Sequence, residues 1–129
     1  MTAGEETSTH KLLIVDDSKV SRMRIRAFFA STCPGWTLLE AASGDEALSM
    51  AAADPPDFVT MDINMPGMSG FETAQLMLMR NQHIRVVMLS GNIQESSRQV
   101  AASLRLKFVA KPVTQLSLQQ ALDHMLAPA

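Results

Sequence analysis

A chain of 129 residues with 47% hydrophobic and 19% charged side chains has the size of one domain and enough apolar surface to bury a core. Its net charge of −2 and its 11 scattered Lys and Arg residues provide no basic field, so direct nucleic-acid binding is not expected and a protein partner is. The single cysteine, Cys33, forms no internal disulfide, no apolar run approaches bilayer length and Met1 to His10 lacks a signal-peptide core; no membrane insertion and a reducing, cytoplasmic location are expected.

Residues 1–10, rich in Thr, Ser and Glu, read as a flexible tail before one domain over 11–127. The first strand is predicted at 12–15 and the first helix at 18–32. Strands at 36–40, 58–61, 85–89 and 108–110 then alternate with helices at 44–53, 69–80, 94–105 and 114–126. Ser43 with Glu46, Ser69 with Glu72 and Asn92 with Glu95 have the three-residue spacing of helix N-terminal caps. Leu118, Leu122 and Met125 make an apolar stripe on the last helix. Strict alternation of short apolar strands and helices predicts an α/β fold around a five-stranded parallel sheet with helices on both faces, and such sheets bind ligands beyond the carboxyl ends of their strands.

Those strand ends carry chemistry. Asp16 and Asp17 follow the first strand, Asp62 ends the third, Ser90 follows the fourth and Lys111 the fifth. Taken singly, each has an ordinary explanation: acidic pairs cap helices, Ser-Gly makes turns, and a Lys before Pro sits on the surface. Their occurrence at the same end of every strand concerned is what singles them out. Three converging carboxylates repel one another, so a shared proton or a divalent cation must neutralise them, and an all-oxygen set without His or Cys suits Mg²⁺. A carboxylate beside Mg²⁺ is a nucleophile for phosphoryl transfer, and Asp62 stands alone before the Asn64, Pro66 and Gly67 turn, which is expected to leave it open. Lys111 and Ser90 can donate hydrogen bonds to phosphoryl oxygens.

Leu-Ile-Val-Asp-Asp-Ser at 13–18, Met-Asp-Ile-Asn-Met-Pro-Gly-Met-Ser-Gly at 61–70, Ser-Gly at 90–91 and Phe-Val-Ala-Lys-Pro at 108–112 together resemble the receiver domains of two-component response regulators. The resemblance covers about residues 11–126. It implies the flavodoxin-like strand order 2-1-3-4-5, which the chemotaxis regulators share. It further implies a non-enzymatic phosphoacceptor that takes a phosphoryl group from a sensor histidine kinase or a histidine phosphotransfer protein onto Asp62. Mg²⁺ would be held by Asp17, Asp62 and the backbone carbonyl of Asn64, with Asp16 acting through water. Ser90 and Lys111 would contact the phosphoryl group, Ser90 and Phe108 would form the switch, and Lys111-Pro112 would be a cis peptide. The signalling surface would comprise the fourth predicted helix, fifth strand and fifth helix, with a downstream protein target that the sequence does not name.

Two departures stand out. Phe108 lacks the hydroxyl many relatives carry, and residues 102–107 lack the glycine that commonly ends the fourth helix. A stand-alone receiver is expected, with a receiver cut from a larger DNA-binding or enzymatic regulator as the alternative. An aspartyl-phosphate phosphatase of the haloacid-dehalogenase kind would need an acid where Asn64 stands. A flavin carrier of flavodoxin type would need a phosphate-binding loop after the first strand. Met61 and Met88 read as core residues, Met65 and Met68 as exposed flanks of the acceptor loop, His10, His83 and His124 as solvated, and Cys33 as a loop or helix-end residue.

Overall fold

The computed structural model describes residues 10–91 and 106–128. The predicted helix 94–105, its Asn92 and Glu95 cap and most of the glycine-free stretch 102–107 lie outside them, as do residues 1–9. The elements are β1 (Lys11–Val15), α1 (Lys19–Thr32), β2 (Thr37–Ala41), α2 (Gly44–Ala53), β3 (Phe58–Asp62), α3 (Gly70–Arg80), β4 (Arg85–Ser90), β5 (Lys107–Ala110) and α4 (Gln115–Leu126). The five strands form one parallel sheet in the order β2-β1-β3-β4-β5, as expected.

Period-two alternation divides the core between the faces of the sheet. Leu13, Val15, Val59, Met61, Val86 and Met88 pack with Ala47 and Ala51 of α2 and Ala74 and Met77 of α3. Leu12, Ile14, Val87, Leu89 and Val109 pack with Ile25 and Phe29 of α1 and the predicted Leu118, Leu122 and Met125 stripe of α4. Met61 and Met88 are fully buried, as read from the sequence, but Met65 is buried as well. It joins the α2–α3 cluster instead of facing solvent.

Ser18, Ser43, Ser69 and Thr114 are N-caps whose side chains accept from the backbone N–H three residues on. Cys33 is the C-cap of α1. Strand β2 begins one residue later than predicted: the Trp36 N–H donates to the Cys33 carbonyl in a turn (3.0 Å), while Thr37 starts the ladder opposite Lys11. The Trp36 ring packs with His10 (5.3 Å), Phe58 (5.2 Å) and Phe29 (5.9 Å) at the amino ends of the strands. His10 is therefore half-buried and not solvated as expected. His124 is half-buried too; burial first, then the charges of Arg85 and Lys107, lower its pKa. His83 is exposed. At the same end Arg85 donates to the carbonyls of His124 (3.1 Å) and Met125 (3.2 Å) and to that of Ala127, tying the end of α4 to β4.

Candidate functional site

Parallel strands all present their carboxyl ends at one edge, and there β1, β3, β4 and β5 deliver the polar residues picked out in the sequence. One carboxylate oxygen from each of Asp16, Asp17 and Asp62 lies within 4.8 Å of the others. Asp16 is fully buried and Asp62 4% exposed, whereas Asp17 faces solvent.

Asp16 is held on all sides. Its N–H donates to the Ala41 carbonyl (3.1 Å), its Oδ1 accepts from the Ser18 N–H (2.9 Å), and its Oδ2 accepts from the Lys111 ammonium (2.8 Å). Burial works to raise its pKa, but Lys111, Ser21 and the Ser18 N–H outweigh burial and hold it below the usual carboxylate range. Lys111 also lies 3.4 Å from Asp62 Oδ1. Burial works to lower the Lys111 pKa, and the two carboxylates prevail and raise it.

Asp62 is the last residue of β3 and is less open than the sequence suggested, with only 4% of its surface exposed. The chain from Pro66 and Gly67 (φ +75°) folds back so that the start of α3 covers the Asp62 peptide. The Gly70 N–H donates to the Ile63 carbonyl (3.0 Å). A Cβ at Gly70 would overlap the Asp62 carbonyl and lie 2.8 Å from Ile63 Cα, so only glycine fits here. Burial, then the Asp16 charge, raise the Asp62 pKa to about 6 despite Lys111 and the Asn64 N–H, which favour the ionised form.

Ser90 ends β4 opposite Ala110 and is buried; its carbonyl accepts from the Lys111 N–H (2.8 Å), which locks the ends of β4 and β5 together. The Lys111-Pro112 peptide is cis, as expected. Phe108 is half-buried against the α2–α3 cluster, edge-on to Phe71 at 6.0 Å. Asn64 is exposed beside Asp62.

The donors are all oxygen, and three carboxylates against one ammonium leave two negative charges when all are ionised. Such a set fits a hard divalent cation. Two further residues belong to the site and went unread in the sequence. Arg22 Nη1 donates to the Asp16 carbonyl (2.7 Å) and its Nε to Glu40 Oε1 (2.9 Å). Their only sequence signal is opposite charge on α1 and β2, which does not tell which carbonyl is reached.

The sequence pattern of the response regulator receiver domain matches residues 12–123, and the chain belongs to that family. It is 39% identical over 113 residues to a protein-glutamate methylesterase/protein-glutamine glutaminase of Geobacillus kaustophilus, covering 85% of this chain and 32% of that protein. The chain thus spans about a third of that relative's length. The chemotaxis protein CheY4 of Vibrio cholerae superposes with a TM-score of 0.82 at 28% identity, covering 92% of this chain and 99% of that one. A chain of the CheX–CheY–BeF3–Mg²⁺ complex from Borrelia burgdorferi superposes with a TM-score of 0.83 at 26% identity, covering 92% and 90%.

Proposed function

We propose that this receiver takes a phosphoryl group onto Asp62 from the phosphohistidine of a sensor histidine kinase or a histidine phosphotransfer protein, with Mg²⁺ required. The observation that carries the reading is the clustering of Asp16, Asp17 and Asp62 within 4.8 Å with the Lys111 ammonium reaching the Asp62 carboxylate.

Asp17, Asp62 and the Asn64 carbonyl would hold the metal. Both Asp16 oxygens already accept hydrogen bonds, which supports a role for Asp16 through water. Bound Mg²⁺ supplies charge neutralisation to the carboxylates and the phosphoryl oxygens. With a pKa of about 6, Asp62 is largely ionised at neutral pH, as a nucleophile must be. Its oxygen forms the new P–O bond as the donor's P–N bond breaks, and the imidazole leaves with the electron pair and takes up a proton. Lys111 and Ser90 donate to the transferred oxygens. Ser90 moving toward them frees space for the Phe108 ring to turn inward, which alters the surface around β5 and α4 for a downstream protein. The chain assists its own phosphorylation and dephosphorylation and turns over no separate substrate. The domain is assigned to 11–127 after a tail at 1–10. A cytoplasmic location is consistent with the free Cys33 thiol and with the absence, among the described residues, of any helix long and apolar enough to cross a membrane.

The test is incubation with acetyl phosphate and Mg²⁺, which adds one phosphoryl group by mass to the native chain and none to Asp62→Asn. Labelling of Asp62→Asn at the native rate would overturn the assignment. A receiver within a larger regulator remains a second reading because the methylesterase relative is about three times as long as the matched segment.

A further inference from the structure

Asp17 is the one exposed carboxylate of the cluster, and no side-chain hydrogen bond or ion pair fixes it among the described residues, so its direction depends on the peptide joining it to Asp16. The Asp16 N–H is fixed by the Ala41 carbonyl, and the carbonyl of that joining peptide accepts from Arg22 Nη1 at 2.7 Å. Arg22 is itself oriented: its Nε donates to Glu40 Oε1 (2.9 Å), and Glu40 Oε2 accepts from Arg26 (3.1 Å), which also donates to the Leu38 carbonyl (3.2 Å). The Arg22 side chain is only 15% exposed, so the fork is sheltered and geometrically defined.

We propose that Arg22, braced by Glu40, is a positioning residue for the metal site: it turns the Asp16–Asp17 peptide so that the Asp17 carboxylate faces Asp62. The inference rests on the Mg²⁺ reading above and adds a residue to it. It makes a prediction opposite in sign to simple electrostatics. A cation next to an acidic site repels Mg²⁺, so deleting its charge should tighten binding if charge were all that mattered. Loss of orientation should weaken it.

The test is Mg²⁺ titration of the native protein, Arg22→Gln and Arg22→Lys by calorimetry, with metal-free ¹H–¹⁵N spectra of each. Both variants are expected to bind Mg²⁺ about tenfold more weakly, the range found when supports of metal ligands are removed. The Lys variant weakens although it keeps the charge, because one ammonium cannot span the Asp16 carbonyl and Glu40 as the fork does. The Asp17 amide resonance shifts in both without metal, a readout that a general loss of stability does not produce in a chain still showing native dispersion elsewhere. Tighter or unchanged Mg²⁺ binding by Arg22→Gln, or native affinity in Arg22→Lys, overturns the proposal while leaving the metal site standing. No Mg²⁺ binding by the native protein overturns the functional reading and this inference together.

Discussion

The Lys111 ammonium lies closer to Asp16 than to Asp62, 2.8 Å against 3.4 Å. In the metal-free state it is thus primarily the partner of the fully buried carboxylate, and its restraint on Asp62 is secondary.

Lys111→Ala is accordingly expected to raise the Asp62 pKa above about 6, since a charge favouring the ionised form is lost. At pH 8, where Asp62 stays ionised, Mg²⁺ should bind as tightly as before or more so. Carboxyl ¹³C titration and calorimetry read the two effects. A large loss of Mg²⁺ affinity would show that the lysine builds the metal site.

Asp62 also sets a pH dependence of stability. Its pKa rises on folding from 3.8 to about 6, so the folded state binds the proton more tightly than the unfolded chain. The stability this contributes is complete below about pH 4 and is lost as pH climbs through 6. Two units correspond to a ceiling of about 3 kcal/mol, so metal-free Asp62→Asn should be roughly 1–3 kcal/mol more stable than the native chain at pH 7. Urea unfolding at pH 7 and pH 4 should show the gain at the first and little at the second.

Thr60 lies in the middle of β3 between Ile14 and Val87, and its buried Oγ1 has no hydrogen-bond partner among the described residues. Thr60→Val keeps the shape and removes the desolvated hydroxyl, so a gain of about 1 kcal/mol is expected in denaturant unfolding. Destabilisation would mean that the hydroxyl is satisfied in solution.

Gly70→Ala should have the opposite outcome. The added methyl meets the backbone of Asp62 and Ile63, not a yielding side chain, and overpacking of this kind costs about 1–3 kcal/mol. Because the displaced peptide carries Asp62, Mg²⁺ affinity should fall together with stability. A variant as stable as the native protein with native Mg²⁺ binding would contradict the close approach.

Much of this architecture was legible in the sequence because the alternation of apolar strands and helices left few places for Asp16, Asp17, Asp62, Ser90 and Lys111 except one edge of the sheet. What escaped depends on contacts between distant segments. Trp36 looked like a strand residue because apolarity does not distinguish a ladder position from an aromatic ring closing the core beneath a turn. Pro66 and Gly67 marked a turn correctly but could not show that the turn returns the start of α3 onto the Asp62 backbone, nor how little of Asp62 is exposed. Arg22 was invisible for a similar reason: a position on a helix says which way a side chain leaves and not which carbonyl it meets.

Trp36 is the only tryptophan of a chain without tyrosine, and its indole sits among Phe29, Phe58 and His10 at the edge of the sheet opposite the carboxylates. A five-residue strand separates the two edges by about 15 Å. Ultraviolet emission therefore originates from one packed ring far from the acidic cluster. The unlabelled protein carries its own optical gauge of unfolding, one that should stay nearly silent when an ion or phosphoryl group arrives at the other edge.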